Sequence, residues 1–359
     1  MSKKLNRVVH LTTGHTFDDT RVFRKQCVSL AKAGYQVTLV VPNEKSLSLN
    51  GVSIKAIRPL AGRFYRILLS PWVAFYCGWK ERGDVYHLHD PNLIPIGLII
   101  KMLGKKVIFD SHENYVADIS AKEWIPLRMR HFTSKLYEIL ESFAVSKFDA
   151  VVTVNEATFN RFIGIAKSNV LIKNYPIISE ITPLGDNTKN LDFVWVGMIS
   201  PIRACHQLDA AFSKVNANLD IIGTPIDFKP RSENINLIGS MDQSAAFALA
   251  SDYLAGIVIY LPEPNSMDAL PNKLFEYMCL GLPVLASNFP HWISLVEDSG
   301  CGICVDPESV DEIREALNWF LENPIKAKKM GALGRQIVLD RLSWQSEEIK
   351  LLNMYREVL

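Results

Sequence analysis

Short runs of β-branched and aliphatic residues recur along the chain, separated by longer amphipathic stretches. In the first half the runs fall at Val8–Thr12, Val37–Val41, Val85–His89, Lys106–Asp110, Ala150–Val154 and Val170–Ile172. Between the first two, Val22–Ala33 has helical spacing, and Gly34 suits the position just past a helix end. The pattern then pauses in a polar, Pro- and Gly-bearing stretch, 179–190, with the composition of a linker. It restarts at Leu191–Gly197 and continues through Leu219–Ile222, Ile235–Ile238, Gly256–Tyr260, Pro283–Ala286 and Gly302–Val305. Apolar runs alternating with amphipathic stretches are the mark of β-α-β units and parallel sheets. The expectation is an α/β protein of two doubly wound, Rossmann-like domains, 1–178 and 191–344, facing each other across a cleft. Ligands of such sheets sit beyond the carboxyl ends of the strands.

Length and composition agree with this division. A chain of 359 residues exceeds the usual single core, and 48% hydrophobic residues suffice for two. The overall charge of +1 hides a segregation: residues 1–190 carry 26 Lys and Arg against 16 Asp and Glu, and the remainder carries 13 against 22. Such a basic half suits an anionic partner, or is solvated charge segregated by chance. No nucleic-acid module accompanies it, so nucleic acid is not an expected partner. The six cysteines, at positions 27, 77, 205, 279, 301 and 304, have no disulfide rhythm and fit reduced thiols. Cys301 and Cys304 are the one close pair, and no second pair or histidine completes a zinc site. The apolar run from Val8 is broken by Thr12, Thr13 and Gly14, so it reads as a first strand and not as a leader. Residues 67–79 are too short, and too interrupted by Ser70 and Pro71, to span a bilayer.

The densest chemistry lies in residues 268–287, DALPNKLFEYMCLGLPVLAS. Pro271 suits a first helical turn and Gly281 the position past the last, which brackets a helix of about ten residues. Its N-terminus would offer the backbone N–H groups of Asn272, Lys273 and Leu274 to an anion, and Lys273 adds a full charge. Glu276, one turn further, is placed to accept hydrogen bonds from a ribose diol. The arrangement is that of a diphosphate seat with a ribose clamp.

This stretch resembles the donor-binding signature of the retaining family-four (group 1) glycosyltransferases, in particular the bacterial surface-polysaccharide type with the form PNKLFEYM. The resemblance implies the GT-B fold, an EC 2.4 hexosyltransferase-like activity and a UDP- or GDP-linked sugar donor. It places Glu276 on the nucleotide ribose. Asp268 stands where the family has the first of two glutamates, a catalytic-site carboxylate near the transferred sugar. Val194 to Arg203 is similar to the family's strand, glycine and basic loop. Met198 replaces one basic residue of that loop, and Arg203 keeps the second, which grips the diphosphate. Asp110-Ser-His112-Glu113 matches the strand-end histidine that meets the donor sugar near the reaction centre, which makes His112 a catalytic candidate. Val85 to Asp90 matches a His-x-His-Asp-like segment. His87 and His89 alternate onto one strand face, which would suit a metal, but the resemblance implies no metal and no cofactor, and points to a structural or acceptor-side role.

The loop Thr13 to Arg21 has one glycine, Gly14, and so is not a dinucleotide fingerprint. In the family it borders acceptor and donor sugar, so Gly14, Asp19, Arg21 and His89 are acceptor-side candidates. Asp19 and Arg21 also suit a helix cap and an ion pair. A C-terminal helix over about 345–359 is expected to pack back on the first domain.

Residues 58–82 interleave Arg58, Arg63, Arg66, Lys80 and Arg82 with Phe64, Tyr65, Trp72, Phe75, Tyr76 and Trp79, and Trp124 to Lys135 is a second basic, aromatic stretch. Rings among cations suit a headgroup layer, although a core helix plus ordinary surface has the same composition. Together these features suggest peripheral contact with the inner face of the cell membrane, a cytoplasmic location, and a glycan or polyprenyl-diphosphate-linked acceptor. Two other readings stand beside transfer: a non-hydrolysing nucleotide-sugar epimerase, and a non-catalytic partner subunit of the same fold.

Overall fold

The computed structural model describes residues 6–59, 62–112, 115–121, 126–181, 192–263, 266–267 and 269–359. Two compact units emerge: residues up to Asn174 together with Gln345–Leu359, and Tyr175–Trp344. The boundary therefore falls before 178. The ring of Tyr175 meets Phe275 edge-on at 4.9 Å, Ile181 is buried in the second unit's core, and Pro176 accepts a hydrogen bond from the Trp344 amide. Of the expected linker, 182–190 lies outside the described residues.

Unit one is built on eight strands: β1 (Arg7–Leu11), β2 (Gln36–Pro42), β3 (Leu47–Leu49), β4 (Val52–Ile57), β5 (Val85–Leu88), β6 (Lys106–Ser111), β7 (Ala150–Thr153) and β8 (Asn169–Leu171). Their order is β3-β4-β2-β1-β5-β6-β7-β8, parallel except where β3 meets β4. The β3–β4 hairpin escapes the apolar pattern because all of β3 is exposed. Its turn is Asn50-Gly51, both with positive φ, which is the pairing a two-residue hairpin loop requires. The first helical stretch opens with wide π-type turns over Thr20–Cys27, tightens to α over Val28–Lys32, and is stopped by Gly34 at φ +91°. Helices Ser70–Lys80, Ile94–Met102 and Leu127–Lys147 share one core with β1, β5, β6 and β7, through Ala74, Ile96, Ile100, Ala144 and Phe148. The Trp344–Val358 helix belongs to this unit through Tyr355, which lies over Tyr35 and His87.

Unit two has six strands, all parallel: β9 (Phe193–Val196), β10 (Leu219–Ile222), β11 (Ile235–Leu237), β12 (Ala255–Val258), β13 (Val284–Ser287) and β14 (Gly302–Val305). Their order is β11-β10-β9-β12-β13-β14. Strands buried on both faces need apolar side chains on both, and β12 and β13 are buried at every position. Tyr277 packs where Gly256 of β12 has no side chain, since a Cβ there would lie 2.3 Å from the ring. Its hydroxyl accepts from the Val196 amide at 2.8 Å, which pins the Asn272–Leu280 helix to β9.

The interior of unit one holds a polar network that apolar patterning does not reveal. Register pairs His10 of β1 with His87 of β5. His10 Nδ1 and His89 Nε2 share a hydrogen bond of 2.8 Å, and His87 Nδ1 bonds the Tyr355 hydroxyl at 2.9 Å. Burial holds all three imidazoles well below their ordinary pKa, His89 at about 3. Unfolded imidazoles take up protons near pH 6.5. These buried ones do not, so their contribution to stability is complete above that pH and is lost as pH falls from there towards 3. Urea unfolding at about pH 7.5 and about pH 5 should show a lower midpoint at pH 5; an equal or higher one contradicts the network. Tyr355→Phe, which strands His87 Nδ1, should lower stability at neutral pH by about 1–2 kcal/mol in the same measurement.

Candidate functional site

In a parallel sheet all carboxyl ends lie on one edge, and a crevice opens where the strand order reverses. In unit two that point lies between β9 and β12, and the turn leaving β9 is Gly197. Gly197 has φ +97° and donates its amide to Ile222 at 2.7 Å. Gly223, leaving β10, approaches so closely that a Cβ on it would stand 2.1 Å from the Gly197 carbonyl oxygen. Both turns therefore need glycine.

Lys273 fills the space beside Gly197. Its ammonium lies 3.9 Å from the centroid of the Trp195 ring, and a Cβ at 197 would meet Lys273 Cε at 3.3 Å. Nζ is buried and has no hydrogen-bond partner among the described residues. Burial, and then the charge of Arg203, push its pKa well below that of an ordinary lysine, while Glu276 pulls the other way. Arg203 ends a short turn, Pro201–Arg203, and its Nε donates to the Tyr260 hydroxyl at 3.3 Å. The guanidinium lies 5.6 Å from the same ring. Lys273, Arg203 and Glu276 thus form one electrostatic group at the end of β9. A guanidinium beside a desolvated lysine amine is an arrangement able to receive a polyanion.

The helix start differs from expectation. Pro271, with ψ 140°, precedes the helix as its cap and is not in the first turn, and the Leu274 amide donates back to the Pro271 carbonyl at 3.1 Å. That amide is committed within the turn, and the Leu274 side chain is buried, so Leu274 is not an anion ligand. Asn272, the first helical residue, is half-buried. Gly281 ends the helix at φ +80°. Asp268 lies outside the described residues. Trp195, Tyr260, Tyr277 and Gly223 shape the site without having been singled out, whereas Gly197 is the glycine of the Val194 to Arg203 segment. For the tandem appearance of Gly197 and Gly223 after two consecutive apolar runs, a signal was present.

In unit one the order reverses between β1 and β5. The loop after β1 is gathered by Asp90, whose Oδ2 accepts from the Thr12 hydroxyl at 2.7 Å and the Thr13 amide at 2.6 Å. Gly14 lies so near that a Cβ would stand 2.8 Å from Asp90 Oδ1. His15 shares a 2.8 Å hydrogen bond with the Thr12 hydroxyl, and its ring meets that of His112 at 5.0 Å. His112, half-buried beyond β6, is steadied by the Asp110 carbonyl at 3.2 Å and the Tyr115 hydroxyl at 3.3 Å. Gly14, His15 and His112 are thereby brought together. Thr12 and Asp90 join them only in three dimensions.

Three acceptor-side candidates are used otherwise. Asp19 caps the first helix, accepting from the Arg21 and Val22 amides at 2.9 and 2.7 Å. Arg21 is buried in a two-pronged pair with Asp110, at 3.0 and 2.8 Å, and donates to the Ile172 carbonyl. Gln26 adds a bond to the same carboxylate at 2.7 Å. Burial would raise the Asp110 carboxyl, but Arg21 and His89 hold it well below the usual range. His89 is fully buried between Asp110 and His10, out of reach of an acceptor. His10, His87 and His89 are also spaced for a metal, with ligand atoms within 4.8 Å of one another. A metal would need bonds near 2.1 Å from nitrogens that here hydrogen-bond each other and Tyr355.

Two family models match the chain: residues 20–170 match Glycosyltransferase Family 4, and residues 183–337 match Glycosyl transferases group 1. The two matches between them take in most of both units, and the chain is a glycosyltransferase. No protein of curated function matches at a significant level. Among solved structures, the sucrose-phosphate synthase of Thermosynechococcus elongatus superposes with a TM-score of 0.78 at 15% identity, covering 99% of each chain. A glycosyltransferase from Rickettsia africae gives 0.69 at 13%, again with 99% of each chain covered. HepE of Anabaena, solved in complex with UDP-glucose, gives 0.71 at 13%, covering 98% of this chain and 99% of that one. The fold is GT-B.

Gly197→Ala should show what the turn requires. The positive φ and the crowding of Lys273 should together lower stability by about 1–2 kcal/mol in chemical denaturation. An unchanged midpoint would contradict the description of the turn.

Proposed function

We propose that this glycosyltransferase moves a hexose from a UDP- or GDP-linked donor to a polysaccharide or polyprenyl-diphosphate-linked glycan, retaining the anomeric configuration. One observation carries the reading: a buried lysine amine with no hydrogen-bond partner among the described residues stands at the switch point of unit two, beside a glycine turn. An unpaired ammonium in such a place is costly until an anion arrives. A nucleoside diphosphate supplies the anion, and HepE, of similar fold, is known with UDP-glucose.

In this reading Lys273 and Arg203 neutralise the charge that develops on the leaving diphosphate, the largest electrostatic demand of the reaction. Glu276 accepts from the ribose hydroxyls. His112 and Asp268 keep the sugar-contacting roles that the family resemblance assigns, and transfer needs neither metal nor cofactor. The acceptor hydroxyl enters on the face that the nucleotide leaves, as retention requires. A lipid-linked acceptor would bring the protein to the inner face of the cell membrane as a peripheral, cytoplasmic enzyme.

The test is release of nucleoside diphosphate from UDP- and GDP-sugars, with a membrane extract as the acceptor source. Lys273→Ala and Glu276→Ala should each lower kcat/KM on the order of a hundredfold. Wild-type turnover in both variants would overturn the site. Conversion of a donor to its epimer without any acceptor would favour the epimerase instead.

A further inference from the structure

The outer face of unit one carries an apolar surface that nothing in the proposed donor site uses. On the Leu127–Lys147 helix, Ser134, Glu141, Ala144 and Val145 are buried against the unit. The opposite side exposes Met129, Phe132, Leu136, Leu140 and Phe143, at spacings of three and four residues, with Phe132 67% exposed. Residues so spaced lie along one stripe of a helix. The Ser70–Lys80 helix exposes Trp72, Val73 and Tyr76, and Tyr65, Leu68 and Leu69 precede them. By contrast, Phe75 and Trp79 turn inward onto the core, so the aromatic set of residues 58–82 divides between two tasks. The Ile94–Met102 helix lies between the other two and touches both. Lone exposed apolar residues are ordinary, but a run of this extent marks a contact surface.

Charge identifies the partner. His131, Lys135 and Lys147 flank the long stripe, and Lys80 and Arg82 end the other helix, all exposed. Lys147 lies 5.4 Å over the Phe143 ring and Lys80 4.0 Å over Tyr76, with the cation at the rim of the apolar surface. Among the described residues, Glu81 pairs with Lys55, Glu138 with Lys135, and Glu141, buried, with Arg161. A second copy of this face would set cation against cation, whereas anionic headgroups complement it. We infer that this helical layer docks on the surface of an anionic phospholipid bilayer, rings and aliphatic tips among the acyl chains and lysines at the phosphates. No described helix is long and apolar enough to cross a membrane, so the contact is peripheral.

The layer also has a direction. The Ser70–Lys80 and Leu127–Lys147 helices lead into β5 and β7, so their N-terminal ends point to the carboxyl edge of the sheet. The shorter helix carries its exposed Trp72, Val73 and Tyr76 towards that end, and the stripe of the longer one runs along its whole length. That is the edge where Gly14, His15 and His112 sit. The surface would deliver a lipid-anchored acceptor to that edge, and for this purpose it rests on the proposed lipid-linked acceptor.

The test is flotation of the full chain with vesicles of phosphatidylcholine alone, or with about one third phosphatidylglycerol. Wild type should float with the anionic vesicles only, and high salt should release it. The triple variant Phe132→Ser, Leu136→Ser, Phe143→Ser should bind at least about tenfold less, with unchanged circular dichroism because the three side chains are exposed. Wild type left in the aqueous phase, a triple variant that binds undiminished, or a dimer that the triple variant dissolves would overturn the inference. Thermal shifts with UDP- and GDP-sugars, measured on the same samples, keep the two readings apart. Absence of flotation with donor binding intact defeats the membrane surface alone, whereas loss of donor binding speaks against the donor site.

Discussion

A lysine amine buried with no acceptor among the described residues is costly to charge, and unit two holds Lys273 in that position, its pKa pushed well below that of an ordinary lysine. The surroundings are arranged so that the lysine has no alternative. Trp195 supplies a ring face, which attracts a cation without hydrogen-bonding it. Gly197 vacates the space the side chain fills, and Gly223 presses on Gly197 from the neighbouring turn. Tyr277 ties the lysine's helix to β9 and needs Gly256 in order to fit. Three glycines and two aromatic residues thus fix one cation at the sheet edge. Arg203 nearby makes the free state less comfortable still. This is the unevenness expected of a binding site, where stability is given up for affinity.

Unit one treats its buried charges in the opposite way. Arg21 and Asp110 are paired through two hydrogen bonds, with Gln26 on the same carboxylate and His89 beside it. His10 of β1 bonds His89, just beyond β5, and His87 of β5 bonds Tyr355, so the C-terminal helix is fastened to the sheet by polar contacts as well as packing. These groups hold the loop-bearing strands in place. At the edge Gly14 is exposed and His15 and His112 are half-buried, while Asp90, which gathers the loop, is buried beneath them.

Much of this was legible in the sequence, for physical reasons. Parallel strands must be apolar on both faces, so runs such as Val37–Val41 and Leu219–Ile222 stand out unaided. The Asn272–Leu280 helix was bracketed by Pro271 and Gly281, and Lys273, Glu276 and Arg203 followed from its chemistry. What escaped depends on approaches between distant segments. Tyr277 meets Val196 across 81 residues, and Asp110 meets Arg21 across 89. From local pattern Arg21 served an acceptor as well as an ion pair, and only the fold shows it buried. The β3–β4 hairpin lacked an apolar run, although Asn50-Gly51 announced its turn. Leu274 was misjudged because a proline that caps from outside draws its amide inward.

Lys273, its pKa depressed by burial, is the group proposed to receive the diphosphate of a nucleotide donor. Calorimetric titration of UDP and GDP at about pH 8–9, in two buffers of different ionisation enthalpy, measures the protons that accompany binding. The terminal phosphate, with a pKa near 6, is already ionised there, so it contributes no proton change. The wild-type protein should take up protons on binding, as the bound anion raises the pKa of Lys273, and Lys273→Met should take up none. Proton-neutral binding in the wild type, or equal uptake in both proteins, would contradict that role of Lys273.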